Sequence, residues 1–368
     1  MNTINNYCVL GAAGLMGGAA VYDLLKYDNN AHVIAADCDQ GRLDALARLH
    51  NTSRLSTRIV NANNLGQVES LFTDVDSAIA AVHYGFNLDF TETAIKTGTH
   101  LCDLGGNSEI VDKQLSLSSE AERAGVSIIP DCGLAPGMVS MLVKWGVENF
   151  DWADTVKIRV GGLPQNPMNE LNYERLFSIE GLINEYIEPV RVLRNGEIIT
   201  IDPLVELEDI EFPEFGTLEA FTTSGGTSTL INTYEKRLKN LDYKTIRYPG
   251  HCKTIREKYY EPGLFHGKHR KTTAKTLEET IPICTEDVTL VKIIFEGKGQ
   301  KHELVIVDKA QHPFTSMKRM TAFPLSMVAQ MQAKKIITKL GVNTQENCVP
   351  TDLFMSDLQK RDIVIQGI

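Results

Sequence analysis

The chain has 368 residues, enough for two domains, and its 43% hydrophobic and 23% charged content fits a soluble globular protein. Lys and Arg number 37 against 47 Asp and Glu, a formal charge of −10, which argues against nucleic acid or an anionic membrane as partner because phosphate contacts need clustered cations. No leader with basic and apolar regions and no run of about 18 apolar residues is present, so a cytoplasmic protein without signal peptide or membrane span is expected.

The opening stretch "NYCVLG" reads as a short buried strand, followed by the turn Gly11-Ala12-Ala13-Gly14-Leu15-Met16-Gly17. Apolar residues at Leu15, Ala19, Val21, Leu24 and Leu25 then predict a helix over 15–27 that packs on a sheet. A second strand, "HVIAAD" at 32–37, ends in an acid. A helix over 40–50, a strand near 55–61 and a helix across 67–72 continue the alternation, which predicts a doubly wound parallel α/β sheet.

Strand, glycine turn and helix in that order form a seat for a dinucleotide. Glycines let the backbone amides of Gly11, Gly14, Leu15, Met16 and Gly17 approach a pyrophosphate, and the helix N-terminus adds its positive dipole end. Asp37 stands 20 residues after Gly17 (37 − 17), where an acid accepts hydrogen bonds from the adenosine ribose and repels the extra phosphate of NADP. NAD is therefore the expected cofactor, with NADP less favoured. Further strand ends, in "THLCDLGG" (99–106) and "VSIIPDCGLAPGM" (126–138), place Asp103, Gly105, Asp131 and Pro136 toward the nicotinamide end of such a crevice. A single helix is expected up to Gly125.

Seven cysteines are dispersed, none as C-x-x-C, which predicts free thiols. The pair His266 and His269 lacks a second ligand pair at metal spacing, so no metal is expected. The basic stretch "GKHRKTTAK" at 267–275 is expected to be a solvated loop.

Several stretches in series, "HYGFN…AIKTGTHLCDLGG", "AGVSIIPDCGLAPGM", "FSIEGLINEYIEP", "LEAFTTSGGTSTL", "KTIRYPGH" and "VPTDLFMSDLQKRDIVI", resemble the saccharopine dehydrogenase-like superfamily, and within it the lysine 6-dehydrogenases. The resemblance implies a Rossmann domain formed by 1–134 and 316–368, interrupted by an α+β substrate and dimerisation domain over 135–315, and a homodimer. After Phe150 the alternation stops, and "DTVKIRVGGL" and "VTLVKIIFEG" read as strands of a mostly antiparallel sheet. "PLSMVAQMQAKKII" reads as a following helix. The opening turn departs from the superfamily pattern G-A-G-L-M-G by being one residue longer.

The resemblance implies NAD-dependent oxidative deamination of the ε-amino group of L-lysine, or of a close amino-acid analogue, to the semialdehyde with release of ammonia. A saccharopine- or carboxynorspermidine-type dehydrogenase acting on a secondary amine with NAD(P) is the alternative. Hydride leaves the carbon bearing nitrogen only when that nitrogen has a lone pair, so the site must keep the amine neutral and then handle protons during imine hydrolysis. His251 and Lys244 in "KTIRYPGH" are candidate bases, and Asp103 is a candidate to polarise a water. Arg247 suits a substrate carboxylate, since its planar fork binds one bidentately. Asp131 and Glu180 are candidate partners of an α-ammonium, and Ser224 in "TSGGTSTL" is a candidate carboxylate contact. Strand alternation puts Lys244 and Arg247 on opposite faces.

Overall fold

The computed structural model describes residues 4–368 and divides into two compact units, one of residues up to Met141 with Lys318–Arg361, the other of Leu142–Met317 with Asp362–Ile368. In the first unit, β1 (Asn5–Leu10), α1 (Leu15–Tyr27), β2 (Ala31–Asp37), α2 (Gln40–His50), β3 (Leu55–Ile59), α3 (Leu65–Phe72) and β4 (Ser77–Ala80) alternate in order. They are followed by α4 (Asn87–Thr97), β5 (His100–Asp103), α5 (Ser108–Ser116), α6 (Ser118–Ala124), β6 (Ser127–Ile129) and α7 (Met138–Asn149).

The second unit contains β7 (Thr155–Pro164), α8 (Ile179–Ile187), β8 (Val190–Arg194), β9 (Glu197–Ile201), β10 (Glu208–Phe212), β11 (Gly216–Thr222), α9 (Leu230–Tyr234) and β12 (Asn240–Arg247). It continues through α10 (His251–Ile255), α11 (Gly267–Thr280), β13 (Asp287–Gly297) and β14 (Gln300–Lys309). The chain ends with α12 (Ser316–Ala333), β15 (Gly341–Val342), α13 (Gln345–Cys348) and α14 (Thr351–Lys360).

Among the described residues the first unit has one seven-stranded sheet, all parallel, in the order β15-β6-β5-β4-β1-β2-β3. This is the doubly wound dinucleotide-binding order, in which the chain reverses direction across the sheet between β1 and β4 and opens a crevice beyond their carboxyl ends. Its central strands are buried on both faces because helices cover both, while the edge strand β3 is polar and open to solvent. Leu10, Phe72, Phe90, Leu101 and Ile128 are buried together, each fully buried large side chain contributing about 1.5–3 kcal/mol of transfer free energy. Arg361, at the end of α14, is 1% exposed and bonds both carboxylate oxygens of buried Asp23 on α1 at 2.8 Å, so the C-terminal helix is fastened to the first one.

The second unit is built on an eight-stranded sheet whose main path is β10-β11-β12-β7-β13-β14, with β8 pairing β12 and β9 pairing β8. The sheet is mixed: β12 and β7 run parallel at its centre, while the flanking pairs are antiparallel. Three local expectations are corrected. Residues 267–275 form the start of α11 and not a loop, because Thr273, Ala274 and Leu277 give the segment one buried face beneath its charges. The segment before Gly125 is two helices, α5 and α6, joined at Leu117. The helix expected over "PLSMVAQMQAKKII" begins earlier, at Ser316, carries Pro324 inside it and ends at Ala333, before "KKII"; Asp287 accepts from the Ser316 and Met317 amides at its N-terminus.

No helix among the described residues is long and apolar enough to cross a membrane. No group of three or more His, Cys, Asp or Glu side chains among them is arranged to hold a metal ion.

Candidate functional site

The first site element is the turn after β1. Gly11 has φ +78 and, with Ala12, donates its amide to Ala36 O at the end of β2. Gly17 packs so closely that a Cβ there would lie 2.1 Å from Gly11 O, which no side chain tolerates. No side chain caps α1 at Gly14, so the first-turn amides and the dipole end are open to an anion.

The longer turn has a specific use: Ala13 N–H donates to Asp37 Oδ2 at 3.0 Å, and Asp39 N–H to Oδ1 at 3.2 Å, which fixes the carboxylate at the end of β2. Asp37 is half-buried, and each oxygen keeps a second lone pair for a ribose hydroxyl. An uncapped helix end, a glycine cradle and a positioned acid together fit a dinucleotide.

Asp103 is fully buried at the end of β5 and both of its oxygens are engaged. Oδ2 accepts from Gln114 Nε2 at 2.8 Å, and Oδ1 from the Gly105 amide at 2.7 Å and the Asp131 amide at 3.4 Å. Burial raises its pKa to about 6 against the pull of those donors. Asp131 has φ +61, and its Oδ1 lies where a Cβ at Gly105 would fall, at 1.6 Å, so Gly105, itself at φ +65, is required by this packing. Asp103 therefore holds the two strand-end loops in place, a different task from polarising a water.

The second site element lies in the second unit, where β12 ends and α10 begins. Arg247 is 2% exposed, its guanidinium sits 5.0 Å from the Tyr173 ring centre, and Nη2 lies 3.8 Å from Glu185 Oε2 on α8. Nη1 donates to Ile246 O, but Nε is buried with no hydrogen-bond partner. A buried unpaired donor on a cation is costly, and that cost is removed when an anion occupies the site.

His251 completes the cluster. Its ring stacks on Phe221 at 6.2 Å and meets Tyr173 and Tyr186 edge-on. Nδ1 lies 2.8 Å from Leu171 O, a group that only accepts, so Nδ1 carries the proton and Nε2 accepts from the Tyr186 hydroxyl at 3.0 Å. Burial first, then the Arg247 charge, push the imidazole pKa down to about 3, so it is neutral at physiological pH. Glu185 moves the other way: burial raises it to about 7 despite Arg247.

The remaining sequence candidates are placed elsewhere or indirectly. Lys244, on the opposite face of β12, gives its ammonium to Glu208 Oε2 at 2.8 Å and Glu206 O at 2.6 Å, within a buried network containing Arg159 and Asp242. It is not gathered with His251, and its donors hold β12 to the 206–208 segment. Glu180 is half exposed and paired with Arg270 at 2.8 Å, because on α8 it lies about 140° around the helix from Glu185. Ser224 donates its hydroxyl to Asn184 O and its amide to Glu185 O at 3.0 Å, so it fastens α8 beside the cluster.

Glu185, Tyr186 and Tyr173 escaped the sequence reading. The helical face of "FSIEGLINEYIEP" held the signal for the first two: Leu182, Ile183 and Tyr186 are buried together, and Glu185 adjoins that face where Glu180 does not.

The chain matches the family models "Saccharopine dehydrogenase NADP binding domain" over residues 7–129 and "Saccharopine dehydrogenase C-terminal domain" over 133–364. It is 23% identical over 210 residues to the mitochondrial alpha-aminoadipic semialdehyde synthase of Mus musculus, a match covering 55% of this chain and 22% of that protein. The Bos taurus protein of the same name is 22% identical over 268 residues, covering 69% of this chain and 28% of its own length. The chain thus spans about a quarter of the length of these curated relatives. Apo saccharopine dehydrogenase (L-Glu forming) from Saccharomyces cerevisiae superposes with a TM-score of 0.78 over 98% of this chain and 99% of that one, at 16% identity, which is a likeness of fold. With family models matching both segments and a dinucleotide seat built into the first unit, the chain belongs to the saccharopine dehydrogenase family of NAD(P)-dependent oxidoreductases.

Proposed function

We propose that this protein is an NAD-dependent amine dehydrogenase that oxidises the ε-amino group of L-lysine, or of a close amino-acid analogue, to the semialdehyde with release of ammonia. The observation that carries this reading is Arg247: a buried guanidinium with an unpartnered Nε, set among aromatic rings beside a carboxylate. That arrangement supports recognition of a carboxylate-bearing amine.

Gly11, Gly14, Leu15, Met16, Gly17 and Asp37 would hold the dinucleotide, which when bound supplies the hydride acceptor. Asp37 carries the preference for NAD, since a fixed carboxylate at the ribose repels a 2′-phosphate.

Arg247 anchors the substrate carboxylate and so orients the chain of the amine. The walls formed by Phe221, Tyr173 and Tyr186 exclude water. The burial and positive charge that lower the His251 pKa to about 3 act in the same direction on an ammonium placed beside it. The site therefore favours the neutral amine that hydride loss requires. His251 Nε2 and the Tyr186 hydroxyl form a short path along which a proton can be passed during hydration of the imine.

In atom balance, R-CH2-NH3+, NAD+ and water give R-CHO, NADH, NH4+ and one further proton. The test is reduction of NAD by L-lysine with ammonia measured in parallel; reduction with one ammonia per dinucleotide supports the reading.

The family descriptions favour a second reading, dehydrogenation of a secondary amine such as saccharopine with NAD(P). Such a substrate carries further carboxylates, whereas one guanidinium, Arg247, lies in the cluster described around His251. Turnover of saccharopine without ammonia would establish this second reading in place of the first.

A further inference from the structure

Arg247 and Glu185 face each other at 3.8 Å, too far for a hydrogen bond and close enough for an ion pair. No hydrogen bond reaches the Glu185 carboxylate among the described residues, and its side chain is 30% exposed while Arg247 beside it is buried. Helix α8 is held in this register by the 223–229 loop: the Ser224 amide donates to Glu185 O, and the Ser224 hydroxyl to Asn184 O at 3.1 Å.

An α-ammonium and an α-carboxylate separated by one carbon fit alongside such a gap, with a charge-assisted hydrogen bond of about 2.8 Å at each end. Among the described residues Arg247, Tyr173, Tyr186 and Tyr243 interact electrostatically with Glu185, and burial raises the pKa of each tyrosine; Arg270 reaches the adjacent Asn184.

We infer that Glu185 and Arg247 together recognise the α-amino-acid head of the substrate, Glu185 accepting from the α-ammonium and Arg247 donating to the α-carboxylate. This rests on the reading above that the cluster is the substrate site, and it sets the substrate class as a free α-amino acid with its reacting amine at the far end of the side chain. It also assigns to Glu185 the ammonium-binding task expected of Glu180 or Asp131.

The test is calorimetric binding, independent of turnover, on the full chain with and without NADH. The probes are L-lysine and 6-aminohexanoate, which keeps the carboxylate and the terminal amine but lacks the α-amine. Wild-type protein should bind L-lysine roughly tenfold to a hundredfold more tightly, the range for one charge-assisted hydrogen bond. Glu185→Gln should remove that difference while leaving 6-aminohexanoate affinity within about twofold, which also reports an intact fold. Should the variant fail to fold, wild-type protein alone still decides: lysine binding should weaken below about pH 7 as Glu185 is protonated, and 6-aminohexanoate binding should not.

Equal affinity of wild-type protein for the two probes, or no binding of L-lysine, would overturn the inference. Discrimination that survives Glu185→Gln would overturn it as well. Oxidation of lysine without discrimination leaves the enzymatic reading standing and removes this one; discrimination without oxidation does the reverse.

Discussion

The Tyr186 hydroxyl donates to His251 Nε2 at 3.0 Å, a direction fixed by Leu171 O, which holds the proton on Nδ1. The imidazole is thereby a neutral, oriented acceptor and does not titrate in the physiological range. Its pKa of about 3 makes it a weak proton acceptor on its own, so the candidate base of the sequence reading works, on this geometry, only together with Tyr186.

His251→Phe should therefore lower stability by about 2–4 kcal/mol, because it strands the Leu171 carbonyl and the Tyr186 hydroxyl in a buried site. The pH profile of kcat/KM should show no imidazole limb between pH 5 and 8 with 6-aminohexanoate, which lacks the α-amine that Glu185 holds, whereas L-lysine should show the Glu185 limb near pH 7. Thermal unfolding and pH series with the two amines check these statements.

Arg247→Met should raise KM for L-lysine by on the order of a hundredfold, the effect of losing a bidentate charge-assisted contact, and should change KM for cadaverine, which has no carboxylate, by less than about threefold. A uniform loss with both amines would place Arg247 in a structural role.

Asp37→Ser should raise the ratio of kcat/KM with NADP to that with NAD by about tenfold or more, since it removes a fixed negative charge from the ribose position. The same change frees the Ala13 amide, so NAD itself should bind more weakly. Initial rates with both dinucleotides measure the ratio.

Asp103→Asn gives a pH test. The folded pKa, about 6, is above the unfolded value, so between about pH 4 and 6 the folded protein binds more protons than the unfolded chain. The contribution of Asp103 to stability falls as pH rises through that window and is flat above it. The asparagine removes the buried charge and with it the pH dependence, while Gln114 Nε2, which donates to Asp103 Oδ2 and Thr91 Oγ1, meets an amide in place of the carboxylate. The stability of the variant minus that of the wild type should therefore rise from about pH 4 to about pH 6 and be level above, as measured by denaturant unfolding.

Much of the first unit was legible in the sequence. The spans of α1 and α2 coincide with the expected 15–27 and 40–50, because each has a clear apolar stripe between a glycine or aspartate start and a polar end. The positions of the glycine turn and Asp37 were legible because each follows directly on one of two adjacent strands, β1 and β2, whose parallel pairing puts both at the same end of the sheet.

The second site was only half legible. Alternation along β12 separated Arg247 from Lys244, but whether Lys244 faces a ligand or an ion-pair network depends on Glu206 and Glu208, which lie distant in sequence. Glu180 and Glu185 are both acids in one short helix, and only the packing of α8 tells which reaches Arg247. The parallel pairing of β12 with β7 was hidden for the same reason, since strand direction is set by the long connection between them.

The most direct test of the proposed activity is NAD reduction by L-lysine, followed by absorbance, with ammonia determined in the same reaction. Reduction with one ammonia released per NADH is the expected result. No reduction with L-lysine under NAD or NADP, or turnover confined to saccharopine without ammonia, would contradict it.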